Sequence, residues 1–154
     1  MIDNIDILGR MGEKIVANYL RKHGRPVEEA IDHFDREKDM VVDGKFVEVK
    51  TEQAFVYKDA FSFRENQLNK CSRVDELYFV SVPPLIKPDY KWGGWIFKTD
   101  PSAFTVSKYR TKQGVDMLLI AIEQPALTPW VKMTDEEIAE LSKYAQSSYD
   151  ARRR

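Results

Sequence analysis

The sequence predicts an α/β domain with a central mixed β-sheet flanked by helices, and three patterns carry that expectation. An amphipathic stripe opens the chain, two short apolar runs joined by Asp43-Gly44 follow, and helix-start signals then alternate with further apolar runs. A chain of 154 residues that is 43% hydrophobic can bury one good core. One domain is therefore expected over residues 1–148, followed by a basic tail, 149–154, expected to be disordered.

The first helix is predicted to begin near Asp6 or Gly9. Val16, Ala17 and Leu20 fall on one of its stripes, and Glu13 shares that stripe at spacings of three, four and seven. A glutamate so placed faces the sheet edge instead of open water; a capping or snorkelling acid near the helix start fits the same position. Next comes the run Asp39-Met40-Val41-Val42-Asp43-Gly44-Lys45-Phe46-Val47-Glu48-Val49-Lys50. Asp-Gly is the dipeptide best suited to a two-residue type I′ hairpin turn. The register follows by counting: Val42 faces Lys45, Val41 faces Phe46, Met40 faces Val47, and Asp39 lands opposite Glu48. Directly opposed side chains share one face, and Lys50 projects from it too. Two carboxylates and an ammonium thus gather at the open end of the hairpin. Among competing acids, Asp43 suits the turn itself, Asp35 a solvated loop, and Glu52 stands in reserve on the face of Glu48.

Ser62 and Glu65 have the spacing of a capping box, predicting a helix from there to about Arg73 with Gln67 in its first turns. Arg64, Lys70 and Arg73 on that helix suit either phosphate contact or a solvated face. Leu77 to Val82 reads as a strand closed by Pro83-Pro84. Lys91 to Thr99 reads as a strand interrupted at its start by glycines, and Asp100-Pro101 as the cap and first position of a short helical turn. Val115 to Glu123 is a further strand; Thr134 with Glu137 caps a last helix running to about Ser147, its stripe formed by Ile138, Leu141 and Tyr144 or Ala145. Trp92, Trp95 and Trp130 suit packing, with base stacking as the other use of such rings.

Two carboxylates at cross-strand distance repel unless a cation sits between them. Lys50 supplies one charge and a divalent metal would supply the rest. Mg²⁺ is the natural candidate, because it takes one or two protein carboxylates and fills its other positions with water and phosphate oxygens. Such a site polarises a phosphodiester and activates a bound water.

Asp39, eight intervening residues, then Glu48-Val49-Lys50 resembles the PD-(D/E)xK nuclease superfamily of restriction enzymes and Holliday junction resolvases. Gly12-Glu13-Lys14-Ile15-Val16-Ala17 looks like that family's first helix, and Phe61 to Leu68 followed by Leu77 to Val82 looks like its next helix and strand. The likeness covers roughly residues 9 to 82; Lys38 stands where many members have proline. It implies a restriction-endonuclease-like core and a Mg²⁺-dependent DNA endonuclease in which Mn²⁺ could substitute. Asp39, Glu48 and the Val49 carbonyl would hold the metal, Glu13 would complete the acidic cluster, Lys50 would position the attacking water, and Gln67 would stand near the metal. Junction-selective, restriction-type or repair cleavage would each fit. A catalytically silent nucleic-acid-binding or assembly subunit with this fold, and an RNA-directed phosphodiesterase, stay open as alternatives. A homodimer would suit a substrate with two strands to cut.

Other classes are disfavoured. No apolar stretch approaches a membrane span and no secretory signal pattern opens the sequence, so a soluble, cytoplasmic protein is expected. The single Cys71 cannot form an intramolecular disulfide, and His23 and His33 are too few for a zinc cluster. Net charge is −1, so weak non-specific affinity for DNA is expected, with local basic clusters at Lys108, Arg110 and Lys112 and at Arg152-Arg153-Arg154.

Overall fold

The computed structural model describes residues 4–29 and 40–145. Along the chain run α1 (Asn4–Lys22), β1 (Val27–Glu29), β2 (Met40–Val42), β3 (Lys45–Gln53), β4 (Ala60–Phe63) and α2 (Glu65–Cys71). They are followed by β5 (Glu76–Val82), β6 (Trp95–Thr99), β7 (Ser107–Arg110), β8 (Asp116–Ala121), β9 (Leu127–Lys132) and α3 (Asp135–Ser142). The central sheet has the order β1-β2-β3-β5-β6-β9, and β4-β8-β7 form a second, smaller sheet. Within the central sheet β3 and β5 are parallel while the other neighbours are antiparallel. The α/β class with a mixed central sheet, expected from the sequence, is therefore what the chain adopts.

Strand alternation divides the core in two. Val47 and Val49 of β3, with Tyr78, Val80 and Val82 of β5, meet Val16, Ala17 and Leu20 of α1 and Leu141 of α3. Helix α1 crosses β3 closely at Gly12, where an added Cβ would stand 1.7 Å from Thr51 Oγ1. Leu77 and Phe79 of β5 and Phe97 of β6 form the other core with Phe61 and Phe63 of β4, Cys71 at the end of α2, and Ile120 of β8. The central sheet thus has α1 and α3 on one face and α2 with the small sheet on the other.

A partly buried ionic junction fixes the turn of the hairpin to this framework. Arg25, just past α1, donates to both carboxylate oxygens of Glu76 at 2.8 and 2.6 Å and to Asp43 at 2.9 Å. The Tyr78 hydroxyl donates to Glu76 Oε1 at 2.9 Å. Paired with the Arg25 guanidinium, the Glu76 carboxyl is held below its ordinary range, and burial pushes the Tyr78 phenol up. On the same side of the molecule the Tyr19 hydroxyl donates to Glu137, tying α1 to α3, and burial with that bond pushes its pKa up to about 12.

Several expected elements have different bounds. Ser62 does not begin a helix: it lies in β4, because Phe61 and Phe63 alternate into the core and the period of two prevails over the Ser-x-x-Glu spacing. Helix α2 is capped at Arg64, whose backbone N–H donates to Gln67 Oε1 at 3.0 Å, and it ends at Cys71 instead of Arg73. Asp100 holds a single turn, accepting from the Ser102 N–H at 2.9 Å and hydroxyl at 2.7 Å, and no helix follows. The expected strand from Lys91 starts only at Trp95. Thr134 and Glu137 do form the reciprocal cap of α3, which ends at Ser142 while Ile138, Tyr144 and Ala145 still pack on the core. The tail 149–154 lies outside the described residues. No helix among those described is long and apolar enough to cross a membrane.

Candidate active site

The hairpin turn has the geometry its dipeptide requires. Asp43 and Gly44 both take positive φ, 52° and 77°, as a type I′ turn demands of its two central residues. The pairs Val42 with Lys45, Val41 with Phe46 and Met40 with Val47 form as counted from the sequence. Asp39 is the next position along this register and lies outside the described residues.

On β3, Glu48 and Lys50 share the face opposite to that of Val47 and Val49, and they lie beside Leu77 and Phe79 of the parallel neighbour β5. Glu48 is completely buried. Its Oε2 is flanked by Lys50 Nζ at 3.6 Å and by Lys70 Nζ at 3.2 Å. Burying a carboxylate costs several kcal/mol unless cations and hydrogen bonds compensate it. Here one ammonium comes from two residues along the same strand and the other from α2, which covers this face. The two ammonium groups together carry the charge of one divalent ion.

Lys70 is the site residue that sequence reasoning ranked too low, because a lysine on a short helix reads as solvated. The signal was the buried acid: a carboxylate on a covered sheet face requires a second cation from the element that covers it. Gln67, one turn earlier, is exposed, and its side-chain oxygen caps α2. Glu13 is half-buried on α1, and its neighbour Gly12 rests against Thr51, so the helix meets β3 one residue past Lys50. Because α1 covers the Val47–Val49 face, Glu13 approaches from the side opposite to Glu48. A shared ion requires its carboxylate to reach past the border of β3 beyond Met40, the last described position of β2. The Val49 side chain is buried in the α1 core, and its main chain runs between Glu48 and Lys50 on β3. Glu52 is engaged elsewhere, accepting from the Ser62 N–H at 2.8 Å.

The three tryptophans have packing partners. Trp130 lies against Tyr19, His23 and Tyr78, Trp92 meets Phe97 edge-on, and Trp95 packs on the second core under Lys132.

Among the described residues no three His, Cys, Asp or Glu side chains gather to hold a metal ion. Around Glu48 the described side chains offer one carboxylate beside two ammonium groups; a carboxylate is a hard oxygen ligand of the kind Mg²⁺ takes, and one or two are all that ion ordinarily draws from protein. No model of a known protein family matches the chain, and no curated protein matches it.

Proposed function

We propose that this chain is a Mg²⁺-dependent endodeoxyribonuclease of the PD-(D/E)xK kind. The observation that carries the reading is the buried Glu48, held between Lys50 and Lys70 on the strand that the Asp43-Gly44 turn aligns. A fold that buries a carboxylate where a leucine would pack has accepted an energetic loss, and such departures concentrate at functional sites. The succession of α1, the β2–β3 hairpin, α2 and parallel β5 is also the element order that the family resemblance implies, with β1 standing before the hairpin and β4 before α2.

In this proposal Asp39, Glu48 and the Val49 carbonyl hold Mg²⁺, with Glu13 completing the acidic set. When bound, the ion supplies Lewis acidity at the phosphodiester and offsets negative charge on the substrate. Lys50 orients the water for in-line attack at phosphorus. Lys70 pairs with Glu48 and holds its rotamer, so that the carboxylate is preorganised before substrate arrives. Gln67 acts on the site only through the start of α2. The DNA cut would be a junction or another branched or locally unpaired form, since a net charge of −1 gives little general attraction to duplex. Roles in recombination, repair or restriction are all compatible with that chemistry, as is assembly into a homodimer.

One observation favours a second reading. Glu48 already has two ammonium partners, as it would in a non-catalytic binding subunit. The test is incubation of purified protein with supercoiled plasmid, single-stranded DNA, a four-way junction and RNA, each with Mg²⁺, Mn²⁺ or EDTA. The endonuclease reading expects nicking of DNA with either metal and none in EDTA. Binding without cleavage of any polymer in any metal would transfer the site to the silent subunit, and cleavage confined to RNA would reassign the substrate.

A further inference from the structure

The segment that leaves β3 carries a cluster of rings that the proposed hydrolysis does not use. Phe55 and Tyr57 stack with ring centroids 6.1 Å apart at 27°, and Phe55 meets Tyr109 of β7 edge-on at 5.6 Å. Lys58 Nζ stands over both tyrosines, 5.4 Å from Tyr57 and 5.2 Å from Tyr109. Tyr57 is 75% exposed. A lone exposed tyrosine needs no explanation, but this one is presented by a tightly bonded loop.

Phe55 N–H donates to Ala60 O at 2.7 Å and Ala60 N–H returns to Phe55 O at 3.3 Å, while Lys58 N–H donates to Phe55 O at 3.1 Å. Asp59 takes a left-handed φ of 49° with its carboxylate bound by the Tyr90 hydroxyl at 2.6 Å and its carbonyl by the Ile122 N–H at 2.9 Å. Surrounding structure therefore holds the loop in a conformation it would not hold alone. In the small sheet Tyr109 lies on the face opposite to Phe61, Phe63 and Ile120, hence away from the core. Lys108 and Arg110 are exposed on the edge strand β7 but project from the face opposite to Tyr109, with Arg110 beside Asp116 at 3.5 Å, and Lys112 is exposed on the turn that follows.

We propose that Phe55, Tyr57 and Tyr109, with Lys58, form a stacking platform for unpaired nucleobases. Every base has a π-face, so rings interleaved with ammonium groups bind single strands with little regard to sequence. Lys58 over the rings and Lys112 on the turn after β7 supply positive charge suited to a phosphate backbone, which selects a polynucleotide over an apolar protein partner as the occupant. Phe55 follows Lys50 by five residues, so its Cα lies at most about 18 Å from that of Lys50. The platform is thus within a few nucleotides of the proposed scissile bond, and it would direct cleavage to flaps, gaps or open junction centres. This inference rests on the preceding reading only in taking the substrate to be a polynucleotide.

The test is fluorescence anisotropy in EDTA with labelled single strands of DNA and of RNA and their matched duplexes, using wild type, Tyr57→Ala and Tyr57→Trp. Loss of one stacking base is expected to weaken single-strand binding by Tyr57→Ala about five- to a hundredfold. Duplex binding should stay within about twofold, and Tyr57→Trp should retain affinity. Comparing the DNA and RNA arms identifies which sugar the platform accepts. Single-strand binding unchanged in Tyr57→Ala, an equal loss on duplex, or no single-strand binding by wild type would each overturn the platform. A selective loss in a protein that cleaves nothing would uphold the platform and sink the endonuclease reading.

Discussion

Lys50→Ala is expected to lower metal-dependent DNA cleavage by about a hundred- to ten-thousandfold, the range attached to one positioned acid–base or charge-stabilising group. The fold should survive. Lys50 is partly exposed at the mouth of the site, and Glu48 keeps Lys70 at 3.2 Å after the truncation, so its buried charge is still compensated. Lys70→Ala removes the other partner and leaves Lys50 at the longer distance of 3.6 Å; it should reduce both melting temperature and cleavage. Single-turnover cleavage beside thermal melting separates the two lysines. Wild-type rates in Lys50→Ala would remove that residue from the chemistry.

Arg25→Ala is expected to destabilise the protein by about 3–5 kcal/mol, the scale for breaking a buried ion pair from one side. The Glu76 side chain is only 8% exposed, and it would lose both guanidinium bonds at once. For a chain of this size each kcal/mol moves the melting temperature by roughly 2–4 °C, so a fall on the order of 10 °C is expected. The loss depends on pH with a definite sign. Because the folded state holds the Glu76 carboxyl below its ordinary value of 4.5, the contribution is complete above that pH, shrinks as pH falls below it, and is lost only as pH passes through the lower folded-state value. Urea unfolding at pH 7 and at pH 3.5 should therefore show a gap between wild type and variant that narrows at the lower pH. Since Arg25 also holds Asp43, the same substitution loosens the turn that sets the hairpin register.

What the sequence disclosed depended on the range of the interaction that fixes each element. Asp43-Gly44 could be read because a two-residue turn between strands admits few residue types, and the turn then dictates three cross-strand pairs. Thr134 and Glu137 were legible as a cap for the same local reason. The small sheet was not, because Phe61 pairs with Ile120, a partner that no nearby residue announces. Strand β9 escaped notice because Pro129 argues against a strand; it is tolerated since β9 ends the sheet and β6 shifts register beside it. At the site, Glu48 and Lys50 were visible through alternation, whereas Lys70 depended on how α2 lies over β3. Gln67 shows the reverse: its place near the start of α2 was right, and its side chain is spent on the cap.

The proposed site requires a single cation shared by Asp39 and Glu48. Its most direct test is Mn²⁺ titration, followed by electron paramagnetic resonance, of wild type, Asp39→Asn and Glu48→Gln. One bound ion is expected in wild type, with affinity in both variants falling by more than the roughly 10–100-fold that attends loss of an outer-shell partner. Undiminished Mn²⁺ binding by Asp39→Asn would contradict the account.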